Sequence, residues 1–265
     1  MQYLREEESI RVRKKYLEKL NKRFSIIVSN YTTAIEERKS TRDRYLQNMQ
    51  SKRCFAAAKK IEKDLKGKPV PNITNKDVRY FQHDFSQNFK GDTIFSIDLK
   101  SAYANVLKMK HLITDETFNY LSILPKKDRL ACVGMLASKK EVYDYKDGLY
   151  TYRGEIRNPL SGFFFLAVKG TFEIMSELKA ICGNEYLFTW VDCIYFQPNE
   201  ETMSNCLMYL ESANFPYSPE VLTNFSVTNN VNYIRVDYMK DSERKTIHLP
   251  IKRNGAGFSK MDIEI

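Results

Sequence analysis

Histidine is scarce: three residues, at 83, 111 and 248, lie far apart. The five cysteines, at 54, 132, 182, 193 and 206, never form a Cys-x-x-Cys pair. This argues against a zinc site, and apolar surroundings such as "LACVGML" and "NCLMYL" favour reduced core thiols in a cytosolic protein. No apolar run approaches the ~20 residues that span a bilayer. The N-terminus lacks the apolar stretch of a secretory signal. The expectation is therefore a cytoplasmic protein with no membrane partner. Proline is absent from residues 1–68, where the only glycine is Gly67, so nothing there interrupts a helix. No internal repeat or low-complexity tract is visible. What is present is 43% hydrophobic and 13% aromatic residues in 265. That is enough for a substantial core and excludes a disordered chain.

Charge is unevenly spread. The chain carries a formal net charge of +9, and residues 1–68 hold 19 Lys+Arg against 9 Asp+Glu. The remainder has 23 basic and 24 acidic residues, so the whole excess belongs to the first quarter. Such asymmetry points to a polyanion, most simply DNA or RNA. Tyr16, Leu17, Leu20, Phe24 and Ile27, then Tyr31, Ala34 and Ile35, recur at helical spacing. This predicts two or three helices broken near "SNYTT" or "ERKST". Arg11, Lys15, Lys19 and Lys22 fall along one helical face at steps of four, four and three, the candidate nucleic-acid contact. A solvated helical appendage, or a contact with a protein partner through Leu17, Leu20 and Phe24, is the competing account.

The expected organisation is a basic helical region at 1–68, a linker at 69–75 within "GKPVPNITN", an α+β domain at 76–250 and a tail at 251–265. In the α+β part, "TIFSIDL" reads as a strand and "SAYANVLKMKHL" as a helix. "RLACVGMLASKKEVYDY" contains one strand or two paired ones. Residues 161–182 read as an apolar helix, "YLFTWVDCIYF" as a strand and "EETMSNCLMYLESA" as a helix. "NYIRVDYM" and "KTIHLPI" read as a hairpin. This mixture predicts an antiparallel sheet with helices packed on one face.

Two carboxylates stand out because strands deliver them. "IFSIDLKSAY" runs as an alternating apolar strand to Asp98 and then turns helical at Ser101 and Tyr103. Either Asp98 or Ser101 caps that helix, or Asp98 is a rigidly held ligand for a hard cation. Asp192 sits in "YLFTWVDCIYF", otherwise almost wholly apolar. An ionised carboxylate there is costly unless paired, hydrogen-bonded or metal-bound. A turn at Asp192–Cys193 between two short strands is the alternative.

"DLKSAYANVL" resembles the first palm motif of family B DNA polymerases, Asp-x-x-Ser-Leu-Tyr-Pro, with Ala102 and Ala104 departing from it. "WVDCIYF" resembles the third palm motif, Tyr-x-Asp-Thr-Asp-Ser, with Asp192 in the place of the second aspartate and Trp190 in the place of the first. The helix at 161–182 and the stretch "NFSVTNNVNYIRVDY" are also similar to palm segments, closest to the protein-primed subgroup. The resemblance covers roughly residues 90–250. It implies a palm fold preceded by a basic helical region, with Asp98 and Asp192 as catalytic metal ligands for Mg²⁺ or Mn²⁺. Ser101 and Tyr103 would be nucleotide-binding, with Tyr103 stacked beneath the sugar. A nucleoside triphosphate would be the substrate, and other replication proteins the partners.

The departures reshape that expectation. The two aspartates are 94 residues apart, short for a fingers insertion, and no Lys-x-x-x-Asn-Ser-x-Tyr-Gly segment is found. Little chain is left for a thumb or a proofreading exonuclease. Triphosphate charge would fall to residues such as Lys139, Lys140, Arg153, Arg157 or Lys169, or to the N-terminal helices. The expectation is a reduced, phage-like or mobile-element-like palm protein of DNA replication that transfers nucleotides by a two-metal mechanism. The alternatives are a catalytically inactive palm serving as a nucleic-acid-binding scaffold, and an unrelated α+β domain.

Overall fold

The computed structural model describes residues 2–21, 24–28, 32–37, 44–48, 52–78, 81–83, 92–146, 149–229 and 233–250. The protein is α+β, and every strand pairing among the described residues is antiparallel. Two compact units are each discontinuous in sequence: Met1–Val78 with Ser101–Thr171, and Arg79–Lys100 with Phe172–Ile265. They cut across the linear series of regions read from the sequence. Among the described residues no helix is long and apolar enough to cross a membrane.

The first unit is built on helix α1 (Gln2–Lys19) and strands β1 (Phe24–Val28), β2 (Thr32–Glu37) and β3 (Arg44–Asn48). Helices α2 (Lys52–Leu65), α3 (Ala102–Met109), α4 (Asp115–Ser122) and α5 (Lys126–Gly134) follow, then β6 (Lys139–Lys146) and β7 (Leu149–Arg157). The five strands form one sheet in the order β3-β2-β1-β6-β7. The all-helical reading of residues 1–68 is therefore corrected. Phe24, Ile27, Ala34 and Ile35 fit a helical step, but they lie in runs dense in β-branched residues, "FSIIV" and "TTAIEE", which pair as a hairpin. "RLACVGMLASKKEVYDY" does contain one strand, β6, preceded by the end of α5 and a 3₁₀ turn.

α1 lies on one face of this sheet, burying Ile10 and Leu17 against Phe24, Ile35 and Tyr145. Phe24 and Tyr145, paired across β1 and β6, stack at 4.7 Å. Leu17 and Phe24 are fully buried within the chain itself, so of the three apolar residues proposed for a protein contact only Leu20 is exposed. Thr114 caps α4 by accepting the Thr117 N–H, and its own N–H and hydroxyl donate to the Asp64 carboxylate at the end of α2. Burial alone would raise the Asp64 pKa, but the Thr114 and Thr117 hydrogen bonds outweigh it and the carboxyl lies below its ordinary value. The expected linker is held too. A Cβ on Gly162, at the start of α6 (Ser161–Cys182), would lie 2.1 Å from the Pro71 carbonyl oxygen. Only glycine admits so close an approach.

The second unit holds β4 (Phe81–His83), β5 (Ile94–Leu99), the later half of α6, β8 (Tyr186–Trp190), β9 (Cys193–Phe196) and α7 (Glu200–Ser212). Strands β10 (Tyr217–Asn229), β11 (Tyr233–Lys240) and β12 (Glu243–Pro250) complete it. The sheet order is β12-β11-β10-β5-β9-β8-β4. Its centre, β5, α6, β8, β9, α7 and β10 with strand order β10-β5-β9-β8, is the ferredoxin-like βαββαβ arrangement. Cys182 of α6 and Cys206 of α7 bring their Sγ atoms to 3.8 Å, so these two helices pack side by side. All five cysteines are buried free thiols.

Candidate functional site

The two conspicuous aspartates lie beside each other, Asp98 on β5 and Asp192 in the turn leading into its neighbour β9. β5 is buried at every position except Asp98, whose side chain is about one quarter exposed. In register Asp98 stands opposite Cys193 of β9 on one side and Ser218 of β10 on the other. Asp192 directly precedes Cys193 and occupies the two-residue turn, Val191–Asp192, that joins β8 to β9. "YLFTWVDCIYF" is therefore a hairpin with Asp192 at its tip, not a single strand. The Leu99 N–H donates to the Asp192 carbonyl at 2.8 Å, locking the backbones beside both aspartates together.

Backbone strain accompanies each. Val191 takes φ 55° and Ser101 φ 48°, a left-handed conformation that is unfavourable for a β-branched residue above all. Such strain persists only where surrounding structure enforces it, and it gathers at functional sites. Ser101 is the residue before α3, but its side chain makes no capping hydrogen bond, and Asp98 lies three residues too early to cap. The capping account of this segment is thus set aside.

Charge is concentrated around Cys193. Its thiol is pushed well above the ordinary value, first by burial and then by the negative charges of Asp98, Asp192 and Glu220. Glu220 shares the face of Asp98, standing opposite Ser96 while Ser218 stands opposite Asp98. Its carboxylate accepts from Lys240 Nζ at 2.6 Å. Lys240 is raised above its ordinary value by Glu220 first, with Asp98 and Asp241 adding to it. Lys100 Nζ lies 3.6 Å from Asp98. Ser96, 1% exposed on the same face, has no hydrogen-bond partner for its hydroxyl oxygen. Lys100, Glu220 and Lys240 were not singled out from the sequence. Lys100 lies two residues after Asp98, but Glu220 and Lys240 reach the site through strand pairing, which no local pattern encodes.

The donor set is all hard oxygen, which suits Mg²⁺ or Mn²⁺ rather than a thiolate-seeking metal. Among the described residues no group of three His, Cys, Asp or Glu side chains could hold a metal ion.

The remaining predicted residues lie in the first unit. Tyr103, half-buried, sets its ring edge-on to Phe164 at 5.7 Å, and Phe164 in turn meets Phe165 at 5.4 Å. Arg11, Lys15 and Lys19 are exposed on α1, and Lys22 lies outside the described residues. No protein-family model and no curated protein matches the chain.

Proposed function

We propose that this chain is a polymerase-type palm protein of nucleic-acid replication, transferring nucleotides from triphosphates to a growing strand. The observation that carries the reading is the adjacency of Asp98, near the end of β5, and Asp192, in the turn that leads into its paired neighbour β9, at the centre of a βαββαβ sheet. The resemblance implies an antiparallel sheet of this kind with helices packed on it, and it points to the same two aspartates. Mg²⁺ or Mn²⁺ held by these carboxylates would supply Lewis-acid activation of a 3′-hydroxyl and neutralise phosphate charge.

The chain's own residues have definable parts in this reading. The sheet fixes Asp98, and the strained turn fixes Asp192. Lys100, ion-paired with Asp98, and Lys240, held by Glu220, are proposed for the phosphate-binding place for which the sequence offered no clear candidate. Ser101 and Tyr103 are proposed for the nucleotide, and Arg11, Lys15, Lys19 and Lys22 for the DNA or RNA backbone.

A second reading, an inactive palm acting as a scaffold for replication proteins, is favoured by the Lys100–Asp98 ion pair and by Trp190 in the third motif. The two separate cleanly. Incorporation of labelled nucleotides on a primed template with Mg²⁺ or Mn²⁺ is expected from the wild type, and Asp98→Asn or Asp192→Asn should each reduce it at least 100-fold without lowering the melting temperature. Activity that survives both substitutions rejects the catalytic reading. Nucleic-acid binding by an inert wild type supports the scaffold.

A further inference from the structure

We infer that one face of the β6–β7 hairpin, together with the basic flank of α1, is a binding surface for single-stranded nucleic acid. This rests on the nucleic-acid reading above and adds which form is bound and which residue stacks on it.

Four tyrosines share that face, because Tyr143 pairs with Tyr152 and Tyr145 with Tyr150 across the two strands. α1 covers only part of the row. Tyr145 is buried beneath it, stacked on Phe24. Tyr150 is bound by it, its hydroxyl donating to Glu18 while Lys14 Nζ lies 4.8 Å from the ring centre. Tyr152 is 52% exposed, held edge-on against Tyr143 at 5.5 Å. An aromatic ring fixed by a neighbour yet open to solvent is already ordered for stacking.

The helix supplies the charge. Residues three and four apart share a helical flank, so Arg11 and Lys15 lie on the same side of α1 as Lys14 and Glu18, the pair that touches Tyr150. Arg11, Lys15 and Lys19 are exposed. A row of exposed cations therefore runs along the helix that borders the aromatic floor. At the far end of the floor charge is balanced, with Lys139 bound to Glu155 and Glu141 accepting from Tyr143. Phosphates thus belong on the α1 side and bases on Tyr152.

A duplex keeps its bases stacked inside and presents only phosphates. It would use the cations and gain nothing from the tyrosines. A single strand uses both, through stacking on rings that accept any base.

The test is fluorescence anisotropy of the full chain with a labelled 20-nucleotide oligothymidylate and with the same strand annealed to oligoadenylate. Wild type should prefer the single strand. Tyr152→Leu should weaken single-strand binding about tenfold, the size of one lost base stack, and leave duplex binding unchanged. Tyr152→Phe, which keeps the ring, should restore it, with circular dichroism confirming that both variants fold. Equal losses on both probes, or no loss in Tyr152→Leu, would overturn the inference while the nucleic-acid reading stands. Binding of neither probe at low salt would overturn both.

Discussion

Val191 holds a conformation that costs a β-branched side chain roughly 1–2 kcal/mol, and it does so one residue before Asp192. Glycine removes that cost. Val191→Gly should therefore raise the melting temperature by stabilising the fold by up to about 1 kcal/mol, while lowering nucleotide incorporation because Asp192 is held less firmly. A variant that melts lower would show that Val191 packing outweighs its strain. Asp237 is a different kind of residue. It is a buried carboxylate that accepts from Thr246 and Arg235 and forms an ion pair with Arg244 at 3.5 Å. The Thr246 hydrogen bond first, then Arg235, holds its pKa below the ordinary 3.8. Because the folded value is the lower one, its contribution is complete above the unfolded pKa and is lost as pH falls through the folded pKa. Asp237→Asn should cost about 1–3 kcal/mol at pH 7, and the gap from wild type in a pH series of thermal melts should narrow below about pH 4. A gap independent of pH would assign the loss to packing. Asp98 and Asp192 stood out in the sequence because a carboxylate in an apolar strand is conspicuous on its own. Asp237 did not, because two of its partners, Thr246 and Arg244, come from the neighbouring strand β12 and its own strand is mixed in character.

Among the elements, long periodic segments were legible, and short ones only where apolar alternation or a hairpin turn was clear, as in β5 and the β11–β12 hairpin. α6 was read with both ends as observed, and α7 to within a residue, since 22 and 13 residues give a helical period time to declare itself. The strands β1 and β2, at 5 and 6 residues, allow apolar steps of three and four to imitate a helix. Their true character came from β-branching and from a partner, β6, far along the chain. β7 and β10 were missed for a related reason. β7 is an exposed edge strand with little alternation, and β10 carries a bulge between Thr223 and Ser226 that breaks the period. The close approach of the 67–75 segment to α6 was equally hidden, since glycine at 162 has several meanings. Gly162→Ala should destabilise the protein by about 1–3 kcal/mol in chemical denaturation, because its Cβ would meet the fixed Pro71 carbonyl rather than a yielding side chain. An unchanged midpoint would mean that the segment moves aside without cost.

For the molecule as a whole, the charge asymmetry has a quantitative consequence. Arg11, Lys15 and Lys19 project from one helix into solvent while Leu17 of the same helix is buried, so their removal need not disturb the fold. If all three meet phosphates, Arg11→Ala, Lys15→Ala and Lys19→Ala together should lower the slope of log affinity against log salt by about 2–3. An unchanged slope would move the phosphate contacts elsewhere.

The pairing of β1 with β6 also sets a timetable for synthesis. Ser25 and Asp144, hydrogen-bonded across these strands, are 119 residues apart. At 5–20 residues per second a ribosome needs roughly 6–24 s to cover that distance. Throughout that interval the edge of β1 that will receive β6 has no partner, while β5, destined for the other unit, emerges in between. An unpaired strand edge beside exposed aromatic surface is what holdase chaperones recognise and what aggregates when they are scarce. Production of this chain should accordingly depend on translation speed, with slower elongation prolonging the vulnerable interval rather than helping the chain to fold.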